Sequence, residues 1–309
     1  MSEPGNVLMA DLPSLSRLYV NAAATAARRR LGGSTGVVDL PTEKHEVRNV
    51  RCDVQTLTSF QHLLGEPASD VLPAGFVHAM AFPVAMSVLA RDDFPLPLLG
   101  MIHLRNVIEQ LVPIHFGEAV DITAGVQDLR GHRAGTQVDV VAEVRSTGDG
   151  SLRWTGTSTY LAKGVFLPGV DKVSNGPAKD EFVPPNPTAL WQLGVETGRS
   201  YAAVSGDFNP IHLSALSAKA LGMPRSIAHG MYLASRALAD IGVPREASFR
   251  WDVSFEAPVY LPAKVALEIT TEQSDDGGWQ RSAFVGWNPR SGRRHFRGAV
   301  EGIGAPGTS

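Results

Sequence analysis

Between residues 249 and 301 apolar and polar positions alternate in four runs, 249–255, 263–271, 280–287 and 295–301. A period of two puts one face of a strand on a core and the other in water. Asp275-Asp276-Gly277-Gly278 and the stretch from Pro289 to Gly292 supply turn residues between these runs. The pattern ahead of them is helical. In residues 229–241, Met231, Leu233, Ala234, Ala237, Leu238 and Ile241 are apolar. They cover most of a helix surface rather than one stripe, which predicts a buried helix ended by Gly242 and Pro244. Two short helices are predicted before it, one ending at Ser205 and one over residues 214–221, closed by Gly222 and Pro224.

The first half repeats this order. Phe76-Val77-His78-Ala79-Met80 opens an apolar helix reaching residue 89, as Ile227-Ala228-His229-Gly230-Met231 opens the later one. Each helix leads to a similar phrase, Val112-Pro113-Ile114-His115-Phe116-Gly117 and Ala257-Pro258-Val259-Tyr260-Leu261-Pro262, and then to an alternating strand, 119–126 and 263–271. Residues 136–145 and 152–162 are predicted as a hairpin around Gly148-Asp149-Gly150. The chain therefore reads as a duplicated unit, each copy one buried helix wrapped by a curved antiparallel sheet, an α+β layering. The Pro-, Gly- and Asn-rich stretch 164–187 is the linker. It divides the chain into 1–163 and 188–309, in keeping with a length of 309 residues, above that of most single domains.

Composition narrows the function classes. The net charge is −3 with no long block of like charge, against a dedicated binder of nucleic acid or polyanions. Cys52 is the single cysteine, so neither an internal disulfide nor a cysteine metal cluster is expected. No stretch reaches the roughly 18–20 uninterrupted apolar residues that span a bilayer. The nearest, residues 76–90, is shorter and holds His78 and Pro83. The start lacks the pattern of a secretory leader, and the Ala- and Arg-rich residues 22–30 read as a surface helix. The C-terminus is not a peroxisomal address. A cytoplasmic protein is the expectation.

Candidate chemistry concentrates in residues 201–231. Asp207, Asn209 and His212 fall within six residues around Pro210, and His229-Gly230 follows seventeen residues after His212. Pro210 fixes its own φ and biases Asn209 to an extended conformation, so a rigid turn rather than a helix is expected, with the tips of Asp207 and His212 converging. Such a pair suits addition or removal of water, one group deprotonating while the other moves the second proton, typically for ~10²–10⁴-fold. His229-Gly230 at a helix start offers unpaired N–H groups and a positive dipole end, an oxyanion site for a thioester carbonyl becoming an enolate. Asp before a helix is also a common cap, and a buried His is often only hydrogen-bonded in a core. The joint pattern favours chemistry. For His229 two readings stay open, a ring that takes part and a ring that braces the turn for Gly230. Asp207, His212 and His229 are also candidate metal ligands, but without a close His-x-His or Cys pairing no metal is expected. At the matching place in the first half, roughly residues 57–64, Gln61 and His62 stand without a carboxylate, an Asn-Pro or a second His.

Tyr201-Ala202-x-x-Ser205-Gly206-Asp207-x-Asn209-Pro210-Ile211-His212, with Ile227-Ala228-His229-Gly230-Met231, resembles the signature of the MaoC-like (R)-specific enoyl-thioester hydratases and 3-hydroxyacyl-thioester dehydratases. The resemblance implies a hot-dog fold, here a double hot-dog with a degenerate first half that accommodates the acyl chain. It implies reversible hydration of a trans-2-enoyl thioester, carried on coenzyme A or acyl-carrier protein, in fatty-acyl metabolism. It assigns Asp207 and His212 to the catalytic pair and Gly230 to the oxyanion-hole N–H. Asn209 would orient the pair, and His229, Met231 and Ser235 would lie on the substrate side. Leu238 stands where some relatives carry a serine. No cofactor is implied, and a homodimer is left open. His78 reads as a relic of the repeat. The Arg290, Arg293, Arg294 and Arg297 cluster reads as a solvated turn, or else as a contact for coenzyme A phosphates. Two rival functions remain, a hot-dog acyl-thioesterase and a non-catalytic acyl-thioester-binding subunit.

Overall fold

The computed structural model describes residues 5–22, 39–171, 173 and 181–304. Eleven strands form one sheet in the order β1-β2-β4-β5-β6-β3-β8-β11-β10-β9-β7. The first half holds β1 (Val7–Met9), β2 (His45–Val50), β3 (Met101–Gln110), β4 (Val120–His132), β5 (Gly135–Ser146) and β6 (Leu152–Lys163), with helices α1 (Val54–Leu64) and α2 (Ala74–Leu89). The second holds β7 (Ala189–Leu193), helices α3 (Thr197–Ser205), α4 (Pro210–Leu213), α5 (Ala215–Ala220) and α6 (Gly230–Ile241), then β8 (Phe249–Phe255), β9 (Ala263–Gln273), β10 (Trp279–Trp287) and β11 (Arg294–Gly302). Residues 15–22 are also helical and belong to neither repeat. Most of the surface helix expected at 22–30 lies outside the described residues.

The two halves mirror one another about the β3–β8 pairing, where Arg105 faces Ser254 and Gln110 faces Phe249 in antiparallel register. On the inner face Ile108 meets Trp251, both about 1% exposed. On the outer face Arg105 pairs with Asp252 and Arg250 with Glu109. These ion pairs straddle the seam, but their half-exposed partners make each worth at most about 1 kcal/mol. The apolar inner face carries the junction, at about 25 cal/mol per Å² of apolar area removed from water.

Each half wraps its sheet around a helix. Thirteen of the sixteen residues of α2 are buried. Pro83 sits inside it, which removes one backbone donor. The α6 helix buries one broad face, with Met231, Leu233, Ala234 and Ala237 inside and Leu238 and Ile241 only half-buried, where burial over most of its surface was expected, and Gly242 closes it in the left-handed region. The antiparallel strands, the turns at 275–278 and 289–292, and the buried α2 helix follow the sequence pattern. Missing from that pattern were β2, β3 and β7, which are short, or polar where they face the interior, as at Asn106 and Gln110.

The register of the internal repeat differs from that expected. Val71 bridges His115 as Ile227 bridges Tyr260. The Leu72 N–H donates to the Ile114 carbonyl as the Ala228 N–H donates to that of Val259. Pro73, not His78, is thus the counterpart of His229, and His78 lies one turn inside α2. Apolar residues all round α2 give the sequence no phase to fix. The match of residues 57–64 to Asp207–His212 is corrected as well. The α1 helix ends at Gly65 (φ 76°) and α3 at Gly206 (φ 73°), which sets Glu66 at the position of Asp207. A carboxylate therefore does stand there, but it faces Arg245 at 3.4 Å.

Candidate active site

The Asp207 segment is held by its neighbours at both ends. Gly206 adopts the left-handed conformation that stops α3, and the Asp207 N–H donates to Ser205 Oγ at 3.2 Å. Asn209 caps α4, its side chain accepting from the Ile211 N–H, with Pro210 at the first helical position. Residues 210–213 thus form one helical turn, where a non-helical turn was expected, because proline's fixed φ suits a helix start. The Asn209 N–H donates to Asp207 Oδ1 at 3.2 Å. Orientation of the carboxylate comes from the backbone of Asn209, its side chain being spent on the cap.

His212 stacks on His229 with ring centroids 3.6 Å apart. Its Nδ1 lies 2.8 Å from the Ile227 carbonyl, which can only accept, so Nδ1 carries the proton and Nε2 keeps a lone pair. Burial lowers the His212 pKa below its ordinary value, with the Asp207 charge and the Ile227 contact opposing. The ring is therefore neutral near pH 7 and able to take a proton. Nε2 of His229 lies 3.0 Å from the Asp207 carbonyl and donates to it, and burial holds that ring well below the usual histidine range. That bond ties the start of α6 to the Asp207 turn.

Side-chain oxygen and ring nitrogen atoms of Asp207, His212 and His229 lie within 4.8 Å of one another. The bond from His229 Nε2 to the Asp207 carbonyl removes that nitrogen as a ligand and leaves Nδ1, which is buried without a hydrogen-bond partner. Among the described residues, His212 Nε2 and Asp207 Oδ2 take no hydrogen-bond partner, Oδ2 lying 3.7 Å from His229 Nε2.

Gly230 is the first residue of α6, and no side chain caps that helix start. Its first-turn N–H groups are therefore open to an incoming oxygen. A Cβ at Gly230 would stand 3.0 Å from the Phe255 ring, so any side chain there would push that ring back by a few tenths of an ångström. Met231 is buried, with Sδ 3.0 Å from Asn106 Nδ2 of β3. Ser235 is placed elsewhere than expected. Its buried Oγ has no hydrogen-bond partner and abuts Gly75 of α2, in the helix–helix contact. Arg294 and Arg297 pair with Glu256 at 2.8 and 3.3 Å, and Arg294 lies over the Phe182 ring. They border a groove of about 910 Å³ on the outer face of the sheet, which Asp207 does not line.

Sequence reasoning missed three tyrosines. The Tyr19 hydroxyl donates to Asp207 Oδ1 at 2.8 Å. Burial and the Asp207 charge raise the pKa of Tyr19 and of Tyr201, and also that of Tyr160, which comes from the first half. Tyr201 at least lay in the quoted motif; Tyr19 and Tyr160 carry no local signal. Tyr160 stacks on His103, which meets Phe255 at 5.0 Å. Behind these rings a cleft runs between α2 and β5–β6, lined by His78, Ala81, Phe82, Ala85, Trp154 and Tyr160. It encloses about 250 Å³ of empty space, narrowed by the Phe82 and Trp154 rings.

Residues 179–286 match the MaoC-like domain family. The 3-hydroxyacyl-thioester dehydratase X of Mycobacterium tuberculosis is 33% identical over 265 residues, 85% of this chain and 91% of that protein. The chain belongs to the MaoC-like hydratase and dehydratase family. The crystal structure of that dehydratase, HtdX, superposes with a TM-score of 0.70 at 31% identity, over 84% of this chain and all of the other. The (R)-specific enoyl-CoA hydratase of Aeromonas caviae is 34% identical over 82 residues, 25% of this chain and 61% of that enzyme. A double-hot-dog protein of M. tuberculosis shares the fold, with a TM-score of 0.53 at 14% identity over 87% of this chain and 97% of the other. This MaoC-like chain is a double hot-dog hydro-lyase. None of its described helices is long and apolar enough to cross a membrane.

Proposed function

We propose that the chain reversibly hydrates trans-2-enoyl thioesters to (R)-3-hydroxyacyl thioesters, with Asp207 and His212 as its catalytic pair. The observation that carries this is the unpartnered Nε2 lone pair of a neutral His212 beside the Asp207 carboxylate, with the uncapped start of α6 at Gly230 following His229. Kinship with a 3-hydroxyacyl-thioester dehydratase and an (R)-specific enoyl-CoA hydratase supports the substrate class.

A water held between Asp207 and His212 loses a proton to His212 Nε2 as its oxygen bonds C3 of the enoyl group. The C2–C3 π electrons move to C2, and the thioester oxygen gains the enolate charge. The Gly230 N–H donates to that oxygen, a contact worth on the order of 3 kcal/mol in the transition state. The imidazolium then returns its proton to C2, so one water is added in total. Both additions come from one side of the substrate plane, because one pair delivers them. The reverse sequence is dehydration. The acyl chain passes into the first half, along the cleft beside Tyr160 and Phe82. Because that cleft is nearly closed, a long chain has to displace the Phe82 or Trp154 ring.

The test is turnover of crotonyl-CoA by the purified chain, with chiral analysis of the 3-hydroxy product. Asp207→Asn or His212→Ala is expected to lower kcat by ~10²–10⁴-fold without unfolding the protein. Wild-type turnover in either variant would refute the mechanism. Release of free thiol in place of a hydrated product would mark an acyl-thioesterase, and no turnover across enoyl-CoA and enoyl-carrier-protein substrates would mark a binding subunit.

A further inference from the structure

The helical residues 15–22 lie outside both repeats, yet they close on the reacting carboxylate. Leu15 is 5% exposed, and its Cδ1 lies 3.5 Å from where a Cβ at Gly206 would stand. One turn further on, the Tyr19 hydroxyl donates to Asp207 Oδ1 at 2.8 Å. That oxygen receives a second, longer bond from the Asn209 N–H at 3.2 Å. The other oxygen, Oδ2, is 3.7 Å from His229 Nε2, beyond hydrogen-bond range. The titratable groups facing Asp207 are Tyr19, Tyr160 on β6, Tyr201 on α3, His212 on α4 and His229 at the start of α6. None of these is a fixed cation. Asp207 is therefore held by neutral donors, and of its two direct bonds that from Tyr19 is the shorter.

We propose that Tyr19 is a positioning residue for the hydration chemistry, tying down one oxygen of Asp207 so that the other stays turned to the reacting water. This rests on the catalytic role of Asp207 proposed above. The phenol is a fit donor for the task, since burial and the neighbouring carboxylate keep it protonated across the working range. The segment supplies this donor without contributing to the sheet or to the central helices, and removal of its hydroxyl leaves the Leu15 contact in place.

The experiment is Tyr19→Phe in the full chain, assayed with crotonyl-CoA beside the wild type, Asp207→Asn and the double variant. Hydrogen bonds to charged groups of this kind correspond to about 10–100-fold in rate, so kcat is expected to fall by that factor with KM changed little. That split between kcat and KM is the readout a merely structural role would not give, since loosening of the site would weaken substrate binding as well. Adding Tyr19→Phe to Asp207→Asn is expected to cost almost nothing further, because both act through one group. Thermal unfolding of Tyr19→Phe is expected to match the wild type closely, since the ring and its packing are kept. An unchanged kcat in Tyr19→Phe overturns the inference alone, provided Asp207→Asn is inactive. A faster Tyr19→Phe enzyme also overturns it and makes Tyr19 a plug. Wild-type-like activity in Asp207→Asn, or an inactive wild type, overturns the catalytic assignment and this inference with it.

Discussion

Gly198→Ala is the sharpest probe of how the fold holds His212. Gly198 is buried in the first turn of α3, a position where alanine is the better helix former by about 1 kcal/mol. On local grounds the substitution stabilises. The tertiary contact reverses this, because a Cβ there would stand 2.0 Å from the His212 carbonyl oxygen and 3.0 Å from its carbon. The obstacle is backbone, so it cannot rotate away. Either α3 or the α4 turn has to move by about 1 Å to reach the closest separation that real Cβ atoms show. The α4 turn carries His212 and is tied back to α3 through Arg199, whose guanidinium donates to the Leu213 carbonyl at 3.2 Å. A displacement of about 1 Å in a reacting group costs roughly 10²-fold. Strain of this kind in a packed interior costs about 1–3 kcal/mol. Gly198→Ala is therefore expected to lower kcat about 10²-fold, with a modest drop in stability and little change in KM. Initial rates of crotonyl-CoA hydration and urea unfolding measure both. An enzyme with wild-type kcat and a raised unfolding midpoint would refute the reasoning, since it would show that α3 and α4 are not in contact at this point.

Further predictions concern the buried first half. Burial lowers the pKa of His78 to about 4 and of His103 to about 3, so both are neutral in the folded protein and charge in the unfolded chain below about pH 6.5. Their stability contribution is whole above pH 6.5 and is lost as pH falls toward 4, by roughly 3 kcal/mol for His78, at 1.36 kcal/mol per pKa unit. Urea midpoints followed over that range should fall steeply in the wild type and less steeply in His78→Leu; parallel curves would show that His78 does not carry the effect. Phe82→Ala should open the cleft and raise kcat/KM for long enoyl-CoA chains relative to crotonyl-CoA by about tenfold, the value of one or two methylenes in an apolar pocket. An unchanged ratio would place the acyl chain elsewhere.

What the sequence determined by itself was local. Alternation in 249–301, with Gly and Asp at its turns, specifies β8 to β11, because a half-buried strand needs nothing but its own period. The run from Asp207 to His212 and the His229-Gly230 pair could be read as one constellation because Pro210 and the start of α6 set their conformations within a few residues. Tertiary structure decided the rest. The repeat register eluded sequence reading since α2 is apolar on every side, and only the bridges at Val71 and Ile227 fix its phase. Strand β3 carries Asn106 and Gln110 inward, and it became a strand through its pairing with β8 across the seam. Ser235 shares the helix of Gly230, but the close approach of Gly75 turned it into a packing contact. Tyr19 reaches Asp207 across 188 residues of chain, and Tyr160 comes to the same carboxylate from the other half. No period or spacing encodes a contact of that range: it exists only once the sheet has closed and burial has made each hydroxyl find a partner.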